Sequence, residues 1–160
     1  MLITLELYVM LVLANGTPVV AARLLKHRWS APVDGGRLWA DGRPVFGHSK
    51  TWRGVASGAL ACALFSVVTG LGFVFGALFG LLGLAGDLLS SFIKRRLGLA
   101  SSSRALGLDQ VPEALLPMLL AMWWLPVSLW TVVIVVVLFA LSNILASPLL
   151  YRLGIRRQPH

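Results

Sequence analysis

From Val55 to Gly86 the chain carries no ionisable side chain except the thiol of Cys62, and Asp87 ends the run. A membrane-spanning helix needs about 20 apolar residues, so this stretch is long enough for two helices folded as a hairpin. Gly70-Leu71-Gly72 supplies the turn between them. Two further apolar stretches flank the hairpin, Met1 to Ala22 and Ala114 to Leu150. The second is again too long for one span, and Pro126 marks the turn that divides it. A composition that is 58% hydrophobic, with a mean hydropathy of +0.83, agrees with this reading. The expected fold is all-α: a polytopic membrane protein with five transmembrane helices in one integral domain, residues 1–160.

The cations orient the helices. All fourteen Lys and Arg lie in three places: residues 23–53, residues 94–104 and the tail from Arg152. Clustering in alternate loops is the positive-inside pattern, so the net charge of +8 reads as a topology signal. It does not read as a nucleic-acid surface. Five helices, with the N-terminus outside and the C-terminus cytoplasmic, put every cation on one side of the inner membrane; four would not. The tryptophans agree, with Trp29, Trp39 and Trp52 at the inner interface and Trp123, Trp124 and Trp130 at the outer one. A cleaved signal peptide would carry its charge before the apolar run, whereas here charge follows from Arg23, so the first stretch is read as a spanning helix. Cys62 has no partner thiol and reads as a packing residue.

Polar residues interrupt this frame at four points. Asn15-Gly16-Thr17-Pro18 breaks the first helix near its inner end, either as discontinuous backbone lining a cavity or as a proline kink. The first cytoplasmic loop, about 23–53, holds turn signals at Asp34-Gly35-Gly36 and Asp41-Gly42 and is too long for a bare connection. Its end, Lys50-Thr51-Trp52-Arg53, puts two cations at the start of the second helix, which suits an anion site or simple membrane anchoring. The spacing from Gly42 to Thr51 does not match a P-loop. The second loop, about 94–112, ends in Asp109-Gln110-Val111-Pro112-Glu113, where Asp109 either caps a helix or faces the same site as Asp87.

Asp87 is the residue around which these points gather. A carboxylate at the lip of a membrane helix is costly unless paired, and so marks either a functional site or a local ion pair. On a helix Asp87, Ser91 and Lys94 share one face at i, i+4 and i+7. Gly72, Gly76, Gly80 and Gly83 recur at spacings that allow close helix packing, which turns Asp87 into the bundle. A glycine face left over after internal packing would favour a homodimer. The three histidines are scattered and suit no zinc site. Few carboxylates among many cations suit Mg²⁺ held by one or two Asp together with phosphate oxygens. Lys50, Arg53, Lys94 and Arg95 would neutralise the remaining phosphate charge. Such a set supports phosphoryl or nucleotidyl transfer by positioning and electrostatics, on a lipid phosphate entering from the side. The alternative of another class is a non-catalytic lipid-phosphate binding or transport protein.

Several motifs carry a resemblance. Asn15-Gly16-Thr17-Pro18-Val19, Pro32-Val33-Asp34-Gly35-Gly36, Asp41-Gly42-Arg43-Pro44-Val45-Phe46-Gly47, Lys50-Thr51-Trp52-Arg53-Gly54, Gly86-Asp87-Leu88-Leu89-Ser90-Ser91-Phe92-Ile93-Lys94-Arg95-Arg96-Leu97-Gly98 and Leu108-Asp109-Gln110 follow one another in order. Together they resemble the CDP-archaeol synthase family, related to phosphatidate cytidylyltransferases. The resemblance implies a five-helix enzyme that joins CTP to a lipid phosphate, with Mg²⁺ as cofactor and pyrophosphate as product. It implies metal ligands at Asp87 and Asp109, with Lys94 beside them in the catalytic set. Phosphate binding falls to Lys50, Thr51, Arg53, Ser91 and Arg95; Asn15 would help wall the nucleotide pocket, and Asp34 and Asp41 would orient the loop or touch substrate. Val111-Pro112-Glu113 and His48-Ser49 depart from the archaeal pattern at the pocket mouth, which leaves ether- and ester-linked acceptors both open.

Overall fold

A computed structural model of the chain describes residues 2–152 apart from 102, 104 and 106, with 146–152 described by backbone alone. Arg104 and the basic tail beyond Arg152 thus lie outside the described residues. Five helices make up the described fold: α1 (Leu2–Leu25), α2 (Trp52–Val68), α3 (Phe73–Arg96), α4 (Gln110–Trp124) and α5 (Leu129–Arg152). Helix α3 packs against α1, α2 and α4, while α5 closes the bundle against α4 and α1. Among the described residues, two helices, α1 and α3, are by themselves long and apolar enough to cross a membrane. At 1.5 Å per residue each of these spans about 36 Å, more than a bilayer's hydrocarbon core of about 30 Å. Helix α2 and residues Leu129–Leu145 are apolar but shorter.

The distribution of side-chain size explains why this bundle suits lipid. Large apolar residues face outward on the hairpin: Leu60, Leu64, Val67 and Val68 on α2, and Phe73, Val74, Leu81 and Leu89 on α3. The inward positions of α2 are Gly54, Gly58, Cys62, Ala63 and Ser66. Small residues inside and large ones outside invert the pattern of a water-soluble bundle and match helix packing in membranes. Deeper in the bundle, Leu7, Met10 and Leu11 of α1 meet Phe75 and Phe79 of α3, Met118 of α4 and Phe139 of α5.

The glycines of α3 divide between two neighbours instead of forming one face. A Cβ at Gly80 would lie 2.9 Å from Ala59 Cα of α2, and one at Gly76 would collide with Ser66 and Cys62 of the same helix. Gly83 and Gly86 instead face α4, where a Cβ at Gly86 would run into the Pro112 carbonyl. Gly72, the fourth member of the expected stripe, has open space around it at the start of α3. The central helix therefore approaches α2 with one set of glycines and α4 with the other. Asp87 follows Gly86 directly, at the level where α3 and α4 come closest.

The expected break in α1 is absent. The helix runs unbroken from Leu2 to Leu25 with Pro18 inside it. The polar side chains fold back on the helix, Asn15 Nδ2 donating to Leu11 O at 3.0 Å and Thr17 Oγ1 to Leu13 O at 2.6 Å. Pro18 has no N–H to offer the carbonyl of Ala14, one turn earlier. That carbonyl lies against α2, where a Cβ on Gly58 would stand 2.6 Å from it.

Both basic-end loops are shorter than the sequence suggested. They cover residues 26–51 and 97–109 because α1 extends past Arg23, α3 carries Lys94, Arg95 and Arg96 in its last turn, and α4 begins at Gln110. Cations in a final turn oppose the partial negative charge of a helix C-terminus, so the helices gain by continuing through them. Replacement of Gly58 by alanine is expected to destabilise the bundle by about 1–3 kcal/mol through overpacking. Gly16, where an added Cβ would meet nothing within 4 Å, is expected to accept alanine without loss. Thermal unfolding of the two variants in detergent micelles reads the difference, and equal melting temperatures would contradict it.

Candidate active site

The two loops and the ends of α3 and α4 meet at one end of the bundle, and the first loop is organised by a buried carboxylate. Asp34 Oδ2 accepts the backbone N–H groups of Phe46 and Gly47, both at 2.9 Å, and Oδ1 accepts that of Gly36 at 3.0 Å. Burial works to raise the Asp34 pKa, but the three donors outweigh it and hold the carboxyl below its ordinary 3.8. Backbone bonds from Val33 N to Lys50 O at 2.8 Å and from Trp52 N to Ala31 O at 3.1 Å bring the end of the loop back to its beginning. This closure fixes where Lys50 leaves the chain.

A clamp then ties the loop to α3. Arg96 Nη1 pairs with Asp41 at 2.8 Å, and its Nη2 donates to Pro44 O at 2.6 Å. Its guanidinium stands 5.0 Å from the ring centre of Phe92 and 5.9 Å from that of Trp39. In return Arg43 Nη1 donates to Arg96 O at 2.8 Å, satisfying a carbonyl in the last turn of α3. Asp34 and Asp41 thus orient the loop, with their oxygens engaged in doing so.

On this frame two lysine–aspartate pairs form. Lys50 Nζ lies 2.6 Å from Oδ1 and 2.5 Å from Oδ2 of Asp87. Lys94 Nζ lies 2.6 Å from Asp109 Oδ1 and donates to Ser103 O at 2.9 Å. The side chains of the first pair remain 23% and 27% exposed, so the pair is open to a competing ligand. Burial would lower the Lys50 pKa, but the charge and hydrogen bond of Asp87, and the charges of Glu113 and Asp109, outweigh it and raise the value. Lys50 is therefore an ammonium at neutral pH. The charges of Asp109 and Glu113 act on Lys50 in the same direction as that of Asp87.

Asp109 is held by its surroundings rather than by a capping role. It makes no side-chain cap to α4. Its Oδ2 instead accepts Ala105 N at 2.8 Å, and Gln110 Oε1 accepts Gly107 N at 2.8 Å. Ser90 Oγ of α3 donates to Leu108 O at 2.6 Å, which anchors the same turn.

The other residues proposed from sequence divide between this centre and its edges. Ser91 is buried, one turn beyond Asp87. Thr51 is the N-cap of α2, its hydroxyl accepting Gly54 N at 3.3 Å. Arg53 points the other way: its Nη1 donates to Lys26 O at 2.9 Å and Arg28 O at 2.6 Å, closing the turn after α1. Asn15 is likewise bonded within α1. Arg95 lines a cleft with Arg43, Gly47, His48, Gly98 and Ser101. The partner exchange is the main surprise, since Asp87 meets Lys50 from the distant loop and not Lys94 on its own helix face.

Among the described residues, no three His, Cys, Asp or Glu side chains gather as a ligand set for a metal. Mg²⁺ is usually bound by one or two carboxylates plus phosphate oxygens and waters. Asp87 and Asp109 fit an ion that arrives with a phosphate, and they would have to exchange their lysines for it.

An apolar-surfaced helical bundle with a charged centre at one end is an integral membrane protein. A solved structure described as an intramembrane enzyme for archaeal membrane lipids biosynthesis matches with a TM-score of 0.72 at 31% identity, over 88% of this chain and 90% of that one. The family model for CarS-like CDP-archaeol synthase matches residues 2–160, and the chain belongs to that family. The CDP-archaeol synthase of Pyrobaculum calidifontis is 34% identical over 155 residues, 91% of this chain and 90% of that protein. That of Methanococcus aeolicus is 30% identical over 161 residues, covering 89% and 87%. The Pyrococcus furiosus protein is 40% identical over 107 residues, a match that spans 60% of its length and 61% of this chain.

The depressed Asp34 pKa sets a pH dependence. Its contribution to loop order is complete above the unfolded carboxylate value, near 3.8, and is lost as pH falls through the lower folded value. Amide exchange is expected to show protected Phe46 and Gly47 N–H groups at neutral pH. In Asp34→Ala the protection factors should fall about tenfold or more, since each donor loses a charged acceptor. Unchanged protection would remove Asp34 from its organising role.

Proposed function

We propose that the chain is a CTP-dependent cytidylyltransferase that converts a lipid phosphate to a CDP-activated lipid and releases pyrophosphate. The observation that carries this reading is the pairing of Lys50 with Asp87 and of Lys94 with Asp109 at one end of the bundle, in a chain of the CDP-archaeol synthase family. The same reading takes the chain as five spans with the N-terminus outside, the C-terminus cytoplasmic and the site facing the cytoplasm. Its support is that α1, α3 and α5 end, and α2 and α4 begin, at the charged end, and that the described cations lie there. The acceptor is an ether or ester lipid phosphate, and the membrane supplies it laterally.

The reaction needs no protein nucleophile. A phosphate oxygen of the lipid attacks the α-phosphorus of CTP, a new P–O–P linkage forms, and the bond to the β-phosphate oxygen breaks. The electron pair and the negative charge leave with pyrophosphate. When bound, Mg²⁺ would sit on Asp87 and Asp109 and neutralise charge on the phosphate oxygens. Lys50 and Lys94, released from those carboxylates, turn their ammonium groups to the phosphates and stabilise charge that grows during transfer. Glu113 adds a further negative charge that acts on Lys50. The closed loop and the last turn of α3 hold the backbone of both lysines, so the exchange is one of side chains.

Exchange of Asp87 for Asn is expected to lower pyrophosphate release by about 10²–10³-fold, a typical loss for one preorganised electrostatic contact. The pair is partly exposed, so the variant should remain folded and monodisperse in detergent. Release is measured from CTP and Mg²⁺ across a panel of ester and ether lipid phosphates. A folded Asp87→Asn protein with normal turnover would overturn the assignment, and absence of release from the parent protein on every acceptor would favour a lipid-phosphate carrier.

A further inference from the structure

Three residues of α3, spaced four apart and so on one face of the helix, meet the second loop and the start of α4. A Cβ at Gly86 would run into the Pro112 carbonyl, Ser90 Oγ donates to Leu108 O at 2.6 Å, and Lys94 Nζ pairs with Asp109 at 2.6 Å. Asp87 stands one position further round the helix and meets the first loop through Lys50. The middle contact is the uncharged one, and it is fully enclosed, since Ser90 is only 1% exposed. Its hydroxyl also lies 2.9 Å from Gly86 O. A hydroxyl has one proton to give, so the two carbonyls share it, and the shorter contact is the one that leaves the helix. A serine that only bonds back to the carbonyl four residues earlier is a local feature of many helices. The bond to Leu108 instead crosses eighteen positions of sequence and ends one residue before Asp109.

The turn that carries Asp109 is otherwise closed on itself. Asp109 N donates to Ala105 O at 3.0 Å, Asp109 Oδ2 accepts Ala105 N at 2.8 Å, and Gln110 Oε1 accepts Gly107 N at 2.8 Å. These bonds shape the turn but do not place it. Among the described residues two polar contacts fasten it to α3: the Lys94–Asp109 ion pair and the Ser90–Leu108 hydrogen bond. The proposed reaction treats them differently. Passage of Asp109 from its lysine to an incoming ion breaks the first. The second joins a hydroxyl to a backbone carbonyl, neither of which the reaction engages, so it persists.

We infer that Ser90 is a positioning residue for the divalent ion: its bond to the Leu108 carbonyl keeps Asp109 beside α3 and Asp87 once Lys94 has let go. The inference rests on the proposed seat of the ion on Asp87 and Asp109. Ser90 lies three residues after Asp87 on one helix, so a single rigid segment carries the first carboxylate and grips the backbone next to the second. The distance between the two carboxylates is then set before the ion arrives. Outer contacts of this kind typically govern metal affinity by about 10–100-fold, because they orient ligands they do not themselves replace.

The test is Mn²⁺ binding to the full chain in detergent with a non-reacting CTP analogue, read by electron paramagnetic resonance as the dissociation constant of the ion. Ser90→Ala is expected to raise that constant about tenfold or more and to leave affinity for the analogue without metal within about twofold. Thermal unfolding measured beside it separates a merely structural role, which lowers the fraction folded but not the ion affinity of the folded molecules. A constant within twofold of the parent in folded Ser90→Ala would overturn the inference. An equal loss of analogue affinity without metal would also overturn it, since the effect would then be general to the site. Should Ser90→Ala fail to fold, Ser90→Cys, whose thiol is a weaker donor, is held to the same criterion. Asp87→Asn separates the inference from the reading beneath it. Ion binding weakened by Asp87→Asn but not by Ser90→Ala leaves the ion on Asp87 and removes Ser90 from its placement. A parent protein that binds no Mn²⁺, or binds it as well after Asp87→Asn, refutes both.

Discussion

A carboxylate where a membrane helix reaches the headgroups has to find a cation, and the pairing of Asp87 with Lys50 joins the centre of this bundle to a loop thirty-seven positions away in sequence. The rest of the basic end follows from that requirement. Lys50 can reach Asp87 only because the loop closes on itself through Asp34 and is clamped to α3 through Arg43 and Arg96. Asp87 can stand beside the first turn of α4 only because Gly86 carries no side chain to hold that turn away. Packing of the helices and assembly of the charged centre are thus one problem, solved at one level of the bundle.

The pairs also give the centre a defined resting state. Each aspartate that would take a metal is covered by a lysine that would take a phosphate. The Lys50–Asp87 side chains are 23% and 27% exposed, so a ligand that supplied both partners, a phosphate with its divalent cation, could reach the pair and replace both contacts together. A ligand that supplies only one leaves a stranded charge, which is costly where water is scarce. On the proposed reading, the arrangement would favour a metal–nucleotide complex over either component, through the chain's own charges.

The sequence made the frame legible because hydropathy and the placement of cations are long-range signals written in composition. Helix number, the hairpin turn at Gly70-Leu71-Gly72 and the central position of Asp87 could be read without a structure. The partners could not. Lys94 sits on the same helix face as Asp87, yet α4 brings Asp109 to Lys94 while the first loop brings Lys50 to Asp87. Local spacing cannot express such an exchange, because it depends on where two loops close. The same holds for Arg53, whose position at a helix start suggested a phosphate ligand but whose guanidinium closes the turn after α1. Asn15-Gly16-Thr17-Pro18 looked like a break because its residues disfavour helix, but packing of α1 against α2 and α3 overrides that preference. The Arg43–Arg96 clamp was missed altogether. Its only signal was the Asp41-Gly42 turn, which says that the chain reverses and nothing about what it reverses onto.

The central claim is that the two lysine–aspartate pairs separate to form one metal and phosphate centre. A structure of the protein with a non-reacting CTP analogue and Mn²⁺, located by its anomalous signal, tests it most directly. The account predicts the ion on Asp87 and Asp109, with Lys50 and Lys94 turned to the phosphates. Nucleotide and ion bound elsewhere, with both pairs intact, would contradict it.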